Sequence, residues 1–89
     1  MIYTDKTKKA MRLCFQAHKN QLDKSGIPYV FHPIHLAEQM PDEKTICVAL
    51  LHDVVEDTLY TKEEIEEIFG ADVAHLVDGV TKLQQLNFS

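Results

Sequence analysis

Four side chains that can bind a metal or transfer a proton lie close together near the middle of the chain, at His52, Asp53, Glu56 and Asp57. On a helix, His52 and Glu56 would share one side, and so would Asp53 and Asp57. His52 and Asp53 would project about 100° apart, so an ion between these two directions could take one atom from each. The spacing therefore predicts a metal site with carboxylates beside it for acid–base chemistry.

The residues around this cluster explain why a metal is expected there. Residues 46–51 are all apolar and predict a buried helix that ends in the four polar side chains. Burying charged groups costs free energy unless an opposite charge compensates it. A hydrolytic site needs three or four nitrogen or oxygen ligands, with one position left for water. We expect the third ligand to be His32, beside Pro33 at the predicted start of another helix, and His35 lies one turn further on a similar face.

Apolar residues recur at helical spacing along the chain and predict an all-α fold. Asp42 can cap the central helix, Thr61 and Glu64 form a capping box for a later one, and Gly70 fits the position just past it. Residues 46–51 alone could form a buried strand, but the Asp42 cap and the length of the segment favour a helix. We therefore expect five helices around a central buried helix, at about residues 5–20, 32–40, 42–57, 61–69 and 73–83.

The bulk composition limits the class of protein. The 89 residues, 45% of them hydrophobic and 26% charged, indicate one small globular domain. No apolar run approaches the length of a membrane span, and the N-terminus has no secretory pattern, so we expect a cytoplasmic protein without a membrane partner. The net charge of −5 is divided unevenly, because residues 1–40 carry six Lys/Arg and three Asp/Glu, and residues 41–89 carry three and eleven. The acidic half argues against DNA binding.

The cysteines and the remaining histidines predict no second site. Cys14 and Cys47 lie in apolar helical surroundings and form no CxxC motif, so we interpret them as buried free thiols. We interpret His18 and His75 as ordinary, partly buried imidazoles with hydrogen-bond partners.

Several stretches of the chain, in order, resemble the HD-type hydrolase domain of RelA/SpoT homologues. That family removes the 3′-pyrophosphate from the guanine nucleotide ppGpp. A His-Asp pair alone would be weak evidence, but the ordered series covers nearly the whole chain. The matching stretches are Ala17-His18 with Gln21, Lys24-Ser25-Gly26-Ile27-Pro28-Tyr29, His32-Pro33-Ile34, residues 49–58, and Phe69-Gly70 followed by residues 77–83.

The resemblance implies a role for each residue of the central cluster. His32, His52 and Asp53 match three of the metal ligands of the family, in which the metal is usually manganese. Glu56 and Asp57 match its Glu-Asp pair, which positions or activates the attacking water and handles protons at the leaving group. A divalent cation keeps nearby carboxylates ionised and makes water a better nucleophile, in agreement with these roles.

The loop before the second helix matches the family's nucleotide-contacting segment, with Lys24, Ser25 and Tyr29 as the substrate-binding residues. Lys24 could instead be only solvated, and Tyr29 could belong to the core. The family usually has an arginine before this lysine, where the present chain has Asp23. A carboxylate cannot stack on a base as a guanidinium does, and it repels phosphate.

The resemblance also implies that part of the site lies outside the chain. The fourth metal ligand of the family is an aspartate in a later segment that resembles Ala-Asp-Arg-Leu-His-Asn, and residues 1–89 contain no such segment. We expect the N-terminal half of a domain, with negligible ppGpp hydrolysis and weak metal binding in isolation. We also expect self-association through an apolar patch near His32 and His52, to which Leu86 and Phe88 contribute. Asp78 is the first candidate for a substitute ligand.

Two alternatives remain open from the sequence. The chain could belong to an HD phosphohydrolase for another phosphorylated nucleotide, which Asp23 makes possible. It could also be a non-catalytic binding or assembly module that lacks the fourth ligand.

Overall fold

Helices alone form the regular structure in the described part of the chain. The structure, a computed structural model, describes residues 1–87, with side chains through residue 83. Pro28 and Leu22 form one isolated β-bridge. The helices are α1 (Asp5–Ala17), α2 (Phe31–Glu38), α3 (Glu43–Leu51), α4 (Val54–Asp57), α5 (Lys62–Phe69) and α6 (Ala71–Asn87). The all-α prediction is confirmed, and none of the described helices has the length and hydrophobicity needed to cross a membrane.

The predicted central helix over 42–57 is divided into α3 and α4, so the described chain has one more helix than expected. The division falls at His52 and Asp53, between the two helices. Nδ1 of His52 donates to the carbonyl of Ala49 at 2.6 Å. In a continuous helix that carbonyl would accept from the amide of Asp53. A side chain that competes for a backbone acceptor favours a local break, and this break lies at the candidate site.

The predicted caps lie where the residue types place them. Asp42 Oδ1 accepts from the amide of Thr45 at 2.8 Å at the start of α3. Thr61 and Glu64 form the expected capping box at the start of α5. Gly70 follows α5 with φ of 98°, a left-handed conformation that glycine adopts without steric cost.

Several helix boundaries differ from the prediction, and the last helix begins at Ala71, two residues before the expected start. Thr4 caps α1, but the helix ends at Ala17 instead of continuing to about residue 20. Asn20 has φ of 69°, which turns the chain away from the helix axis. The second helix begins at Phe31, one residue before the expected start. The loop between α1 and α2 therefore begins right after His18, which closes α1.

Helix α3 forms the centre of the core. Its side chains at Ile46, Cys47, Leu50 and Leu51 are fully buried, and burying each large aliphatic side chain contributes about 1.5–3 kcal/mol. Buried side chains from the surrounding helices complete the core. These are Ala10, Leu13 and Cys14 from α1, Ala37 from α2, Val54 from α4, Ile65 and Phe69 from α5, and Val73, Ala74 and Val77 from α6.

One apolar surface remains open between α2, α3 and α6. This apolar groove encloses about 380 Å³ and reaches His52 at the candidate site. Its apolar lining consists of Leu36, Met40, Val48, Ala49, Leu76 and Val80. The groove lies where the sequence predicts an apolar patch. The side chains of Leu86 and Phe88, expected to contribute, lie outside the described residues.

Candidate metal centre

The three predicted metal ligands come together in space. One ligand atom each from His32, His52 and Asp53 lies within 4.8 Å of the other two. His32 lies in the first turn of α2, whereas His52 and Asp53 lie at the break between α3 and α4. His52 and Asp53 are 5% and 7% exposed, and His32 is exposed. The cluster is therefore a site with two buried groups and one group at its open side.

The hydrogen bonds of His52 leave one ring nitrogen free for a metal. A carbonyl only accepts, so Nδ1 carries the hydrogen that it donates to Ala49. In the neutral ring Nε2 then has a free lone pair, and it lies 3.1 Å from Asp53 Oδ2. Two such groups in a buried place need a proton or a cation between them. This arrangement, a mixed nitrogen and oxygen donor set oriented by a backbone carbonyl, fits a divalent metal.

Without a cation, a proton on Nε2 of His52 takes the place between the two groups and is donated to Asp53. Burial alone would lower the pKa of His52, but the hydrogen bonds to Asp53 and to the Ala49 carbonyl hold that pKa above its ordinary value. Burial would raise the pKa of Asp53, but the hydrogen bonds from His52 and Tyr29 hold it below its ordinary value. The carboxylate is therefore ionised and available to a cation.

Tyr29, one of the three predicted substrate-binding residues, contacts the cluster directly. The Tyr29 hydroxyl donates to Asp53 Oδ2, and its ring centroid is 5.7 Å from that of His32. Burial and the Asp53 carboxylate raise the pKa of Tyr29, so its hydroxyl stays a donor. Lys24 and Ser25 are exposed in the same loop.

Asp23, the residue that departs from the family pattern, is a structural part of that loop. Its Oδ1 accepts from the amides of Ser25 at 2.8 Å and Ile27 at 3.0 Å. The Asp23 carboxylate is thus turned into the loop, and its charge is partly balanced by these two donors.

The two predicted acid–base residues are exposed on α4. The amide of Asp57 donates to the carbonyl of Asp53 at 2.9 Å, so these two residues keep the expected four-residue relation. The charge of Asp57 contributes to raising the pKa of His52, which places it within electrostatic reach of the centre. Asp57 also borders a cavity of about 680 Å³ that Gln16, Thr58, Tyr60 and Glu64 help to line. Glu56 faces solvent.

His18 is the residue beside the site that the sequence interpretation missed. Its ring is 2% exposed and its centroid lies 4.9 Å from that of Tyr29. The expectation of a satisfied imidazole is only half right, because Nδ1 pairs with Gln21 but Nε2 has no partner in the described structure. The Ala17-His18 and Gln21 stretch, part of the resemblance to the family, is the sequence feature that pointed to this residue, but it does not indicate a function for His18.

Other candidates lie outside the cluster. His35 and His75 are exposed and are not among its three residues. Asp78, the possible substitute ligand, pairs instead with Lys82 at 3.0 Å and Lys62 at 3.7 Å. The cysteines are buried free thiols as expected, at Cys14 and Cys47.

Comparisons with known proteins indicate the family of the chain. The sequence profile described as HD domain matches residues 10–89. A protein named GTP pyrophosphokinase from Myxococcus xanthus is 51% identical over 96% of this chain, which spans 12% of that protein. Guanosine-3′,5′-bis(diphosphate) 3′-pyrophosphohydrolase from Haemophilus influenzae is 49% identical over 81% of the chain, which spans 11% of that protein.

The fold of the chain is also similar to that of a solved structure. It is described as a metazoan ortholog of SpoT that hydrolyzes ppGpp, and it superimposes on this chain with a TM-score of 0.81 at 35% sequence identity. The superposition covers 91% of this chain and 50% of the other. The present chain therefore spans about a tenth of the two sequence relatives and half of this solved chain.

Proposed function

The chain belongs to the HD domain family, and from this we propose that it is the metal-binding part of a phosphohydrolase that removes the 3′-pyrophosphate from ppGpp-like nucleotides. The observation that carries the proposal is the convergence of His32, His52 and Asp53 beside Asp57. The names of relatives at about half identity support the substrate class, although one of them is named for the synthesis reaction.

We propose His32, His52 and Asp53 as the ligands and Mn²⁺ as the metal, since a hard and borderline donor set of this kind suits it. When bound, the cation would act as a Lewis acid on a phosphoryl oxygen and favour deprotonated water. His52 presents Nε2 because the Ala49 carbonyl holds Nδ1, and the Asp53 carboxylate accepts a hydrogen bond from the Tyr29 hydroxyl.

Glu56 and Asp57 are the proposed acid–base residues. One carboxylate takes a proton from the water that attacks phosphorus, and the bond between phosphorus and the 3′ oxygen breaks. The second carboxylic acid gives a proton to that leaving oxygen. Exposure on α4 keeps both groups accessible to solvent and to substrate.

The substrate-binding residues in the proposal are Lys24, Ser25 and Tyr29. Lys24 and Ser25, exposed in the loop beside the centre, supply a cation and a hydroxyl for phosphate oxygens. The partner is a phosphorylated guanine nucleotide. We also propose a cytoplasmic location, which suits the reduced state of two buried thiols.

We propose that further elements complete the site, since the matched solved chain extends over twice the covered length. The 89 residues alone should bind Mn²⁺ weakly and release little pyrophosphate. The test uses a fusion protein in which this chain is joined to the half of the solved protein that it does not match. The fusion is assayed for pyrophosphate release from ppGpp in the presence of Mn²⁺.

His52→Ala should abolish stoichiometric Mn²⁺ binding and turnover in this fusion, because it removes a buried ligand. The matched control is His75→Ala, which removes an exposed imidazole outside the cluster and should leave both unchanged. Equal metal content in His52→Ala and the parent would refute the ligand assignment.

One observation favours a second candidate substrate. Asp23 is fixed within the loop by two backbone amides, so it offers no group to stack on a base. An HD phosphohydrolase for another phosphorylated nucleotide fits this loop as well. Comparing ppGpp with its adenine counterpart in the same assay separates the two, and metal binding without any turnover would favour a non-catalytic module.

A further inference from the structure

His18 is a buried side chain next to the metal centre that the proposed function leaves unused. Its ring is 2% exposed. Nδ1 lies 2.8 Å from Gln21 Oε1, and because an amide oxygen only accepts, Nδ1 carries the hydrogen. Nε2 is buried and has no hydrogen-bond partner in the described structure. Buried ring nitrogens are normally paired, so hydrogen bonding alone does not explain why an imidazole occupies this place.

The contact that His18 does make is with Tyr29. The two ring centroids are 4.9 Å apart and the ring planes are tilted by 55°, a separation at which aromatic rings attract. The hydroxyl of the same tyrosine donates to Asp53 Oδ2. The phenol therefore reaches from the His18 ring to the carboxylate of a candidate metal ligand. Gln21 accepts a hydrogen bond from Nδ1 of His18 and so fixes the orientation of the imidazole.

We propose that His18 is a positioning residue whose ring holds Tyr29 so that the tyrosine hydroxyl orients the Asp53 carboxylate in the metal centre. This inference rests on the proposed function, in which Asp53 is a ligand. The ring itself supplies the support, since Nδ1 is turned to Gln21 and Nε2 contacts no donor or acceptor. Partners that orient a metal ligand typically change metal affinity by about 10- to 100-fold.

Four single variants of the 89-residue chain, and the double variant of His18→Ala with Tyr29→Phe, test the proposal. Tyr29→Phe removes only the hydroxyl, His18→Ala removes the supporting ring, and His18→Phe keeps a ring of similar size without nitrogens. Tyr3→Phe is the matched control, because Tyr3 is 62% exposed and outside the site. Each variant is titrated with Mn²⁺ alone. In the metal-free protein, NMR follows the Tyr29 hydroxyl proton, which is visible only while its hydrogen bond protects it from exchange.

The expected results separate positioning from a general structural role. Tyr29→Phe and His18→Ala should each raise the Kd for Mn²⁺ by about 10- to 100-fold. The double variant should be no weaker than either single one, because both changes remove the same function. His18→Phe and Tyr3→Phe should keep the parent affinity, and the Tyr29 hydroxyl resonance should persist in His18→Phe and disappear in His18→Ala.

Two results would overturn the proposal. Parent affinity together with a persistent hydroxyl resonance in His18→Ala would show that Tyr29 needs no support. Weak binding in His18→Phe would show that a ring nitrogen, not the ring, is required. A parent chain that binds no Mn²⁺ would contradict the weak binding expected of the 89 residues, and the hydroxyl resonance in His18→Ala and His18→Phe would then decide on His18 by itself. If His18→Ala does not fold, the Mn²⁺ affinities of His18→Phe and Tyr29→Phe still test the proposal.

Discussion

The three carboxylates of the centre differ in exposure, and this difference separates their roles at the scale of the residue. Asp53 is 7% exposed and accepts a hydrogen bond from the Tyr29 hydroxyl, which suits its proposed role as a ligand. Glu56 and Asp57 are exposed on α4, where they can exchange protons with water or substrate. The residue types alone suggested a metal and an acid–base group. They could not indicate which carboxylate is buried, because burial depends on elements distant in sequence.

Glu56→Gln should therefore reduce turnover without removing the metal. Losing a positioned acid–base group typically costs on the order of 100-fold, whereas an exposed residue outside the three-residue cluster contributes no ligand. Pyrophosphate release and Mn²⁺ content of the active fusion measure the two effects. The control is Glu67→Gln, an exposed glutamate on α5. Loss of metal together with activity would make Glu56 a ligand.

At the scale of the element, helix starts were predictable and the interruption of the central helix was not. A capping residue acts within three positions of itself, so Asp42 and Thr61 could be recognised from the sequence. The break between α3 and α4 depends on the rotamer of His52, which takes the Ala49 carbonyl from the backbone. Composition and periodicity favour a continuous helix in the same segment.

The cap at Asp42 should give α3 a pH-dependent contribution to stability. Hydrogen bonds from the side chain and amide of Thr45 lower the pKa of Asp42 below its ordinary 3.8. The stabilisation is then present above 3.8 and is lost as the pH falls through the lower value of the folded protein. Asp42→Ala should lower the free energy of unfolding near neutral pH, as measured by urea denaturation.

The matched control for the cap is Asp42→Asn, which can still accept the Thr45 hydrogen bonds but cannot titrate. At neutral pH, the free energy of unfolding of Asp42→Asn should lie closer to that of the parent than the value for Asp42→Ala does. The difference between Asp42→Asn and the parent should become smaller in acid. A constant difference between the parent and Asp42→Asn at every pH would contradict the assigned role of the charge.

At the scale of the whole molecule, the apolar groove lies beside the candidate metal centre. Its lining comes from α2, α3 and α6, and His52 lies at its edge. Helix α3 is apolar on nearly all sides, and a helix of this kind is stable only when it is surrounded. The described elements leave α3 uncovered on the side of the groove. Exposed apolar surfaces of this kind promote association.

We expect the 89-residue chain to self-associate through this groove, and Leu76→Glu to shift it towards the monomer. Leu76 is 41% exposed and lines the groove, so a charge there opposes burial against another copy. Leu59→Glu is the matched control, because Leu59 is 97% exposed and lies outside the groove. Sedimentation velocity measures the change. A parent that is monomeric, or equal association in both variants, would contradict this prediction.

The break between α3 and α4 has a consequence for motion. A helix of four residues, with Val54 as its one buried side chain, adds little cooperative stability of its own. Helix α3 is locked in the core, so local unfolding can open α4 while α3 stays folded. We therefore expect Glu56 and Asp57 to move more readily than His52 and Asp53, which adjoin the buried helix α3. The proposed acid–base groups could then adjust to a substrate while the proposed metal ligands keep their geometry.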